Sequence, residues 1–187
     1  MITINDFDFK YDRNTAVALG TFDGVHLGHM AVIKTAVGTA RAEGLVPAVF
    51  TFSGLPKNAF LPESRRVWPL CSFEEKRRLI ESLGVELLLA PPFDETVSSI
   101  PAEEFVRGVL ISKLCARHIV CGFDHRFGSG GRGDAELLYR ICKSEGVAVT
   151  VIPPVTVNGR RVSSTDIRRL LGTGRVEDAR ALLGHDI

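Results

Sequence analysis

The sequence predicts an α/β fold: a parallel sheet with helices on both faces, then a small C-terminal hairpin and two short helices. Two observations carry that expectation. Short apolar runs rich in β-branched residues alternate with longer helical patterns over almost the whole chain, the pattern left by strands buried on both faces and joined through crossover helices. Glycines also follow the helical stretches where a left-handed terminator belongs.

Thr15–Thr21 (TAVALGT) reads as the first strand, followed by Val46–Phe52, Glu86–Ala90, His118–Gly122 and Val147–Ile152. Between them Met30–Glu43, Ser72–Leu83, Ala102–Cys115 and Asp134–Glu145 are long enough for helices. Ser72 with Glu75 forms a capping box, and Gly84 ends that helix as Gly44 and Gly146 end theirs. Phe105 and Val109, with Val106, Leu110 and Leu114, recur at helical spacing and should lie on the sheet. Val155–Val157, Asn158-Gly159 and Arg160–Val162 read as a hairpin across an Asn-Gly turn, and helices follow at Ser164–Leu171 and Val176–Leu183. The one long loop, Ser53–Pro69, carries Pro56, Pro62 and Pro69 with apolar Leu55, Phe60, Leu61 and Trp68, enough to cover a planar ligand.

With 187 residues, 45% of them hydrophobic, the chain reads as one domain that needs neither disulfides nor a structural metal. Its 23 Lys and Arg against 22 Asp and Glu give a net charge of +1, too weak a field for general binding to nucleic acid or a membrane surface. Any anion site must therefore be local. The chain begins MITINDFDFK without a basic and then apolar leader, and no stretch approaches the roughly 18 apolar residues of a membrane span, so a cytoplasmic protein is expected. Cys71, Cys115, Cys121 and Cys142 form no C-x-x-C pair and read as reduced packing residues, with a zinc site as the sharper alternative.

Two segments carry chemistry. In Gly20-Thr-Phe-Asp-Gly-Val-His-Leu-Gly-His29 a strand empties into a loop that opens a helix. Gly24 and Gly28 allow close backbone approach, and the helix start offers free N–H groups to an anion. His26 and His29 can donate to the non-bridging oxygens of a polyphosphate. A metal site, or two merely structural loop histidines, are the competing readings. In Arg160-Arg-Val-Ser-Ser-Thr-Asp-Ile-Arg168, Ser163, Ser164 or Thr165 can cap a helix, and Arg168 lies one turn on, so an exposed anion site is expected, from which Arg168 or His29 could be truncated with little loss of stability. An ordinary capped surface helix is the alternative.

His26-Leu-Gly-His29 resembles the H-x-G-H signature of the nucleotidylyltransferase superfamily, and Val162-Ser-Ser-Thr-Asp-Ile-Arg168 resembles its I-S-S-T-x-x-R signature. With Thr51-Phe52, Gly122-Phe-Asp-His-Arg-Phe-Gly128 and Leu182-Leu-Gly-His185 in order, the chain resembles the FMN adenylyltransferase module of bacterial FAD synthetases over nearly its whole length. The resemblance implies a Rossmann-like core and attack of the FMN phosphate on the α-phosphorus of ATP, giving FAD and pyrophosphate. It implies catalytic roles for His26, His29 and Arg168, and ATP contacts from Gly20, Thr21, Phe22, Asp23, Gly24, Gly28, Ser163, Ser164 and Thr165. It places Phe52, Pro56, Asp124, Arg126, Phe127 and Arg161 against the flavin or its phosphate, with Mg²⁺ arriving on ATP through phosphate oxygens and water. No metal site built from protein side chains is expected, nor a nucleic-acid or membrane partner, and the protein is expected to be a monomer or weak homo-oligomer.

Gly128-Ser-Gly-Gly-Arg-Gly133 fits G-x-G-x-x-G, but it stands five residues beyond its strand and lacks the acidic residue about 20 positions on, so it reads as a flexible glycine-rich loop. One departure from the family matters: after Thr51-Phe52 the family shows an acidic residue and P-H-P, whereas this chain has Ser53-Gly-Leu-Pro56. Another adenylyl acceptor, or a non-catalytic flavin- or nucleotide-binding regulator, are the readings that this departure motivates. In bifunctional members a riboflavin kinase module continues after the L-L-G segment; residues 1–187 are expected to form the adenylyltransferase domain alone, without riboflavin phosphorylation.

Overall fold

Runs of small and β-branched apolar residues build the middle of the sheet. In the computed structural model, which describes residues 1–186, β2 (Thr15–Leu19), β3 (Val46–Phe50) and β4 (Leu87–Leu89) are buried at every residue. Strands covered on both faces require that composition. With β1 (Ile2–Ile4), β5 (Ala116–Gly122) and β6 (Ala148–Ile152) they form a six-stranded sheet in the order β1-β4-β3-β2-β5-β6. All neighbours run parallel. The five expected strands are present; β1 is an addition, three residues that pair only with β4 and are too short to show a period.

Side-chain alternation divides the core into two layers. Ala18, Val49, Leu88 and Val120 pack under α1 (Leu27–Glu43) and α2 (Phe73–Ser82) with Val32, Ile33, Ala36 and Ile80. Val17, Leu19, Ala48, Leu87, Ile119 and Cys121 pack on the other face against Phe105, Leu110, Leu138 and Ile141. That second layer comes from α4 (Ala102–Glu104), its π-helical continuation Phe105–Lys113, and α5 (Ala135–Ser144), with the short α3 (Glu95–Ser99) preceding them. The sequence reads Ala102–Cys115 as one α-helix; beyond Glu104 it is π-helical, with the Leu114 N–H donating to Val109 at 3.0 Å. Phe105, Val109 and Leu114 are spaced by four and then five residues, which suits i→i+5 turns.

The capping box forms as expected: Glu75 N–H donates to Ser72 Oγ and the Glu75 carboxylate accepts from Ser72 N–H. Helix α1 begins three residues before the predicted Met30. The group that caps it, a histidine ring, lies outside the usual capping residues. Asn158 and Gly159 take φ of 50° and 74° and turn β7 (Thr156–Val157) into the antiparallel β8 (Arg160–Arg161), as an Asn-Gly hairpin should. Helices α6 (Ser164–Gly172) and α7 (Val176–Leu183) share a third, small core around Ile167, Leu170, Ala179 and Leu182.

From β1 at one edge the chain crosses to β2 in the middle of the sheet, runs outward through β3 to β4, which meets β1, then returns past β2 to add β5 and β6. The reversal between β2 and β5 is the switch point at which open α/β sheets bind ligands, beyond the carboxyl ends of their strands. All four cysteines are free thiols; burial pushes Cys121 and Cys142 up to about 11, so both stay protonated packing groups. Among the described residues no three His, Cys, Asp or Glu side chains gather into a metal-binding group, and no helix is long and apolar enough to cross a membrane.

Candidate active site

The loop from β2 to α1 is strained where it turns. Phe22 and Val25 take left-handed φ of 48° and 40° although neither is glycine, and both are buried. Such backbone is held only where its surroundings over-determine it, which is characteristic of ligand sites. Gly24 between them has φ +77°, and a Cβ there would lie 2.8 Å from Leu70 Cβ.

His26 then caps α1 with its ring: Nδ1 accepts from the His29 N–H at 3.2 Å. An accepting Nδ1 carries no proton, so the neutral ring holds its proton on Nε2. The His29 ring stacks on it, centroids 3.5 Å apart and planes 15° apart, and meets Phe22 edge-on at 5.3 Å. Burial lowers His26 from the usual 6.5 to about 4, against a weaker opposing pull from Asp23. Burial also drives His29 well below its ordinary range, helped by His26 and Lys76. Both rings are therefore neutral near pH 7, and His29 Nδ1 is buried without a hydrogen-bond partner.

Opposite lies the start of α6. Ser163 Oγ caps the helix by accepting from Asp166 N–H at 3.1 Å, and Ser164 Oγ donates to the Asp23 carbonyl at 3.1 Å. Arg168 is only 10% exposed and forms an ion pair with Asp23, itself 5% exposed. Its Nε also donates to the Trp68 carbonyl at 2.8 Å, and Asp23 Oδ1 accepts from Leu70 N–H at 2.9 Å. The expected exposed anion site thus needs correction at Arg168: its guanidinium is spent on a buried carboxylate that fastens three segments together. Asp23, Gly24 and Thr165 likewise stand behind the ligand space or outside it.

That space is a cavity of about 520 Å³ at the carboxyl ends of β2, β3, β5 and β6, within the size range of cofactor pockets. Gly20, Thr21, Phe22, His26, Gly28, His29, Ser163 and Ser164 line its polar side, and Phe52, Pro56, Asp124, Arg126, Phe127 and Arg161 line the remainder. Arg161 pairs with Asp124 and stacks over Phe123 at 4.5 Å. Arg126 is exposed, 3.5 Å from Asp134. Phe127 is not an open face for a ring: it is 7% exposed, packed against Phe105 and beside His125, and only bounds the cavity.

The loop after β3 contributes less than its apolar content suggests. Phe52 packs edge-on against Phe93, which meets Phe60, and Pro56 reaches the cavity. Trp68 instead sits with Arg168, 5.6 Å from its guanidinium. Asn58 ties the loop by exchanging hydrogen bonds with Val67 at 2.6 and 2.9 Å. The glycine-rich segment after Phe127 is likewise tied rather than free: Phe127 and Gly133 bridge, and Ser129 N–H donates to Ile100 at 2.7 Å.

Sequence reasoning missed Phe93, Ile100, Phe105, Phe123 and His125 as wall residues. Phe123 and His125 stand inside the Gly122–Gly128 motif, whereas Phe93, Ile100 and Phe105 lie on three further segments whose convergence no local pattern records. Missed too was Lys76, whose signal was legible: a lysine standing on the apolar stripe of α2.

The chain matches the FAD synthetase family over residues 8–166. It is 36% identical over 174 residues to a bifunctional riboflavin kinase/FMN adenylyltransferase of Listeria monocytogenes, covering 93% of this chain and 55% of that protein. A FAD synthetase of the same organism is 33% identical over 176 residues, covering 94% of this chain and 71% of that one. The chain thus spans about half the length of the bifunctional relatives it matches. A crystal structure named as a macrolide-efflux protein of Streptococcus pneumoniae superposes with a TM-score of 0.86 at 32% identity, over 98% of this chain and 60% of that one. A pantoate-β-alanine ligase of Francisella tularensis shares the fold alone, with a TM-score of 0.61 at 15% identity over 100% and 80% of the two chains. Read together with the stacked histidine pair at the switch point, the match over residues 8–166 places this chain in the FAD synthetase family.

Proposed function

We propose that this chain transfers the adenylyl group of ATP to the phosphate of FMN. An acceptor phosphate oxygen attacks the α-phosphorus, the bond to the bridging oxygen breaks, and FAD and pyrophosphate result. The observation that carries this reading is one cavity with two chemically opposite sides: neutral imidazoles and two helix starts on one, phenylalanine rings on the other. The first side suits a triphosphate and the second a flavin.

The attacking phosphate monoester is already ionised near pH 7, so no general base is needed and catalysis rests on positioning and charge stabilisation. His26 contributes its Nε2–H as a donor that does not titrate away near neutrality. His29, Gly28 and the Ser163–Ser164 start of α6 surround the same phosphate space. Arg168 acts behind the site by holding Asp23 and the loop, while Arg161 and Arg126 supply positive charge toward the acceptor phosphate. No protein cluster offers Mg²⁺ a cage among the described residues, and Asp23 is committed to Arg168. Mg²⁺ would come with ATP as part of the substrate, held by phosphate oxygens and water.

The test is to incubate the purified protein with ATP, Mg²⁺ and FMN and to follow FAD by chromatography. FAD with stoichiometric pyrophosphate is expected. Pyrophosphate only with another phosphate ester would move the assignment to that acceptor, the reading that Ser53–Pro56 favours. Binding of FMN or ATP without any turnover would make it a regulator. We further propose that these residues form an adenylyltransferase domain and act in the cytoplasm as a monomer or weak homo-oligomer without a nucleic-acid or membrane partner.

A further inference from the structure

Phe73, Lys76 and Ile80 fall on one stripe of α2, continued by Leu83 just past its end, and the stripe faces the sheet. Lys76 is 4% exposed there, although lysines are almost never fully buried unless paired. Among the described residues it makes no ion pair; Asp23 is already held by Arg168. Its Nζ instead donates to the Phe52 carbonyl at 2.8 Å and the Thr21 carbonyl at 3.2 Å, with the Phe73 ring centroid 5.8 Å away. Thr21 opens the phosphate loop after β2, and Phe52 opens the loop after β3 that borders the acceptor side of the cavity. Thr51 Oγ1 also donates to the Thr21 carbonyl, at 2.9 Å, so the two strand exits are joined twice.

A methionine at position 76 would continue the apolar stripe and avoid the cost of burying a charge. The lysine instead puts at the strand exits a positive charge that no ion pair neutralises, within electrostatic reach of His29; burial lowers its pKa, against weaker pulls from Cys71 and Asp23. A bound polyphosphate supplies the negative charge that is missing.

We propose that Lys76 is a positioning residue for adenylyl transfer: it bridges the Thr21 and Phe52 carbonyls, fixing the phosphate loop and the acceptor loop relative to each other, and its charge favours the triphosphate. This rests on the function proposed above.

The test compares Lys76→Met, Lys76→Gln and Lys76→Arg with the wild-type protein. KM for ATP and kcat are measured beside thermal melts, and ATP affinity is measured by calorimetry without FMN. Loss of a charge-assisted contact predicts a rise of about tenfold in the KM and Kd for ATP in Lys76→Met and Lys76→Gln, and recovery to within about threefold in Lys76→Arg. The His29 imidazole, followed by NMR, should titrate at higher pH in Lys76→Met, because only the stacked His26 and Lys76 press positive charge on it. A folded Lys76→Met or Lys76→Gln protein with wild-type ATP affinity and an unmoved His29 titration overturns the proposal. If Lys76→Met does not fold, the Gln and Arg pair decides alone, and an Arg variant as impaired as the Gln variant overturns it too. Should the wild-type protein form no FAD, the function reading fails, while ATP affinity and the His29 titration still decide the role of Lys76.

Discussion

The Asp23–Arg168 pair is expected to matter for stability as much as for activity. Asp23→Leu removes the partner of a guanidinium that is 10% exposed and leaves the Leu70 N–H without its acceptor. Breaking a buried ion pair from one side costs about 3–5 kcal/mol. At about 2–4 °C per kcal/mol for a domain of this size, the melting temperature should fall by roughly 6–20 °C. Asp23→Asn keeps an oxygen for Leu70 N–H and loses only the charge, so it should lie between. The double variant Asp23→Leu/Arg168→Met removes both charges and should be more stable than Asp23→Leu alone, with a coupling of about 1.5 kcal/mol or more in a denaturant-based double-mutant cycle. An Asp23→Leu protein melting within about 2 °C of wild type, or single effects that simply add, would show that the pair is solvated in solution. Arg168→Ala should lower turnover and stability together, contrary to the expectation drawn from the motif alone.

Acid should weaken the fold before carboxylates dominate. His26 and His125 are held down to about 4 by burial, so below pH 6.5 the unfolded chain binds protons that the folded chain does not, and stability falls as pH drops from about 6.5 toward 4. Each such group contributes a slope of up to about 1.4 kcal/mol per pH unit and nothing above that window; urea midpoints that do not change between pH 7 and 5 would contradict this, and His26→Gln should flatten the profile. Ser163→Ala removes the cap of α6 and should cost about 1 kcal/mol, read as a small drop in melting temperature with a larger rise in KM for ATP; an unchanged melt would mean that another group caps the helix. In Gly128→Ala the new Cβ would stand 2.4 Å from Ala102 Cα at φ +70°, so a loss of about 2 kcal/mol and weaker FMN binding are expected in calorimetry, and a neutral substitution would refute that packing.

Much of this was legible because it is local. Apolar runs and turn residues locate β2 through β6, and the Asn-Gly pair marks the turn of the hairpin to the residue, with each strand one residue shorter than expected. The His26–His29 and Ser163–Arg168 motifs indicate which loops form the site. What stayed hidden depends on partners far along the chain. β1 is a strand only because β4 offers an edge. The π-helical turns after Glu104 answer to packing that the propensity of each residue does not record. Arg168 looks like a solvated phosphate ligand until Asp23, remote in sequence, is seen to take its charge. The cap of α1 escaped notice because ring nitrogens seldom do that work; for Lys76 the lysine on an apolar stripe was legible, and only its two carbonyl partners were hidden.

The sheet order also fixes when the pocket can exist during synthesis. β2 finds its first partner as soon as β3 has been made, and the sheet grows outward from that centre. The ties between the start of α6 and the loop from β2 to α1, Ser164 to the Asp23 carbonyl and Arg168 to the Asp23 carboxylate, join residues 141 and 145 positions apart. At about 5–20 residues per second on the ribosome, the loop from β2 to α1 waits roughly seven to thirty seconds for these partners. A nascent chain therefore holds the β2–β3 pair well before the start of α6 closes the cavity, whereas β6, ending at Ile152, precedes Ser164 by only 12 residues.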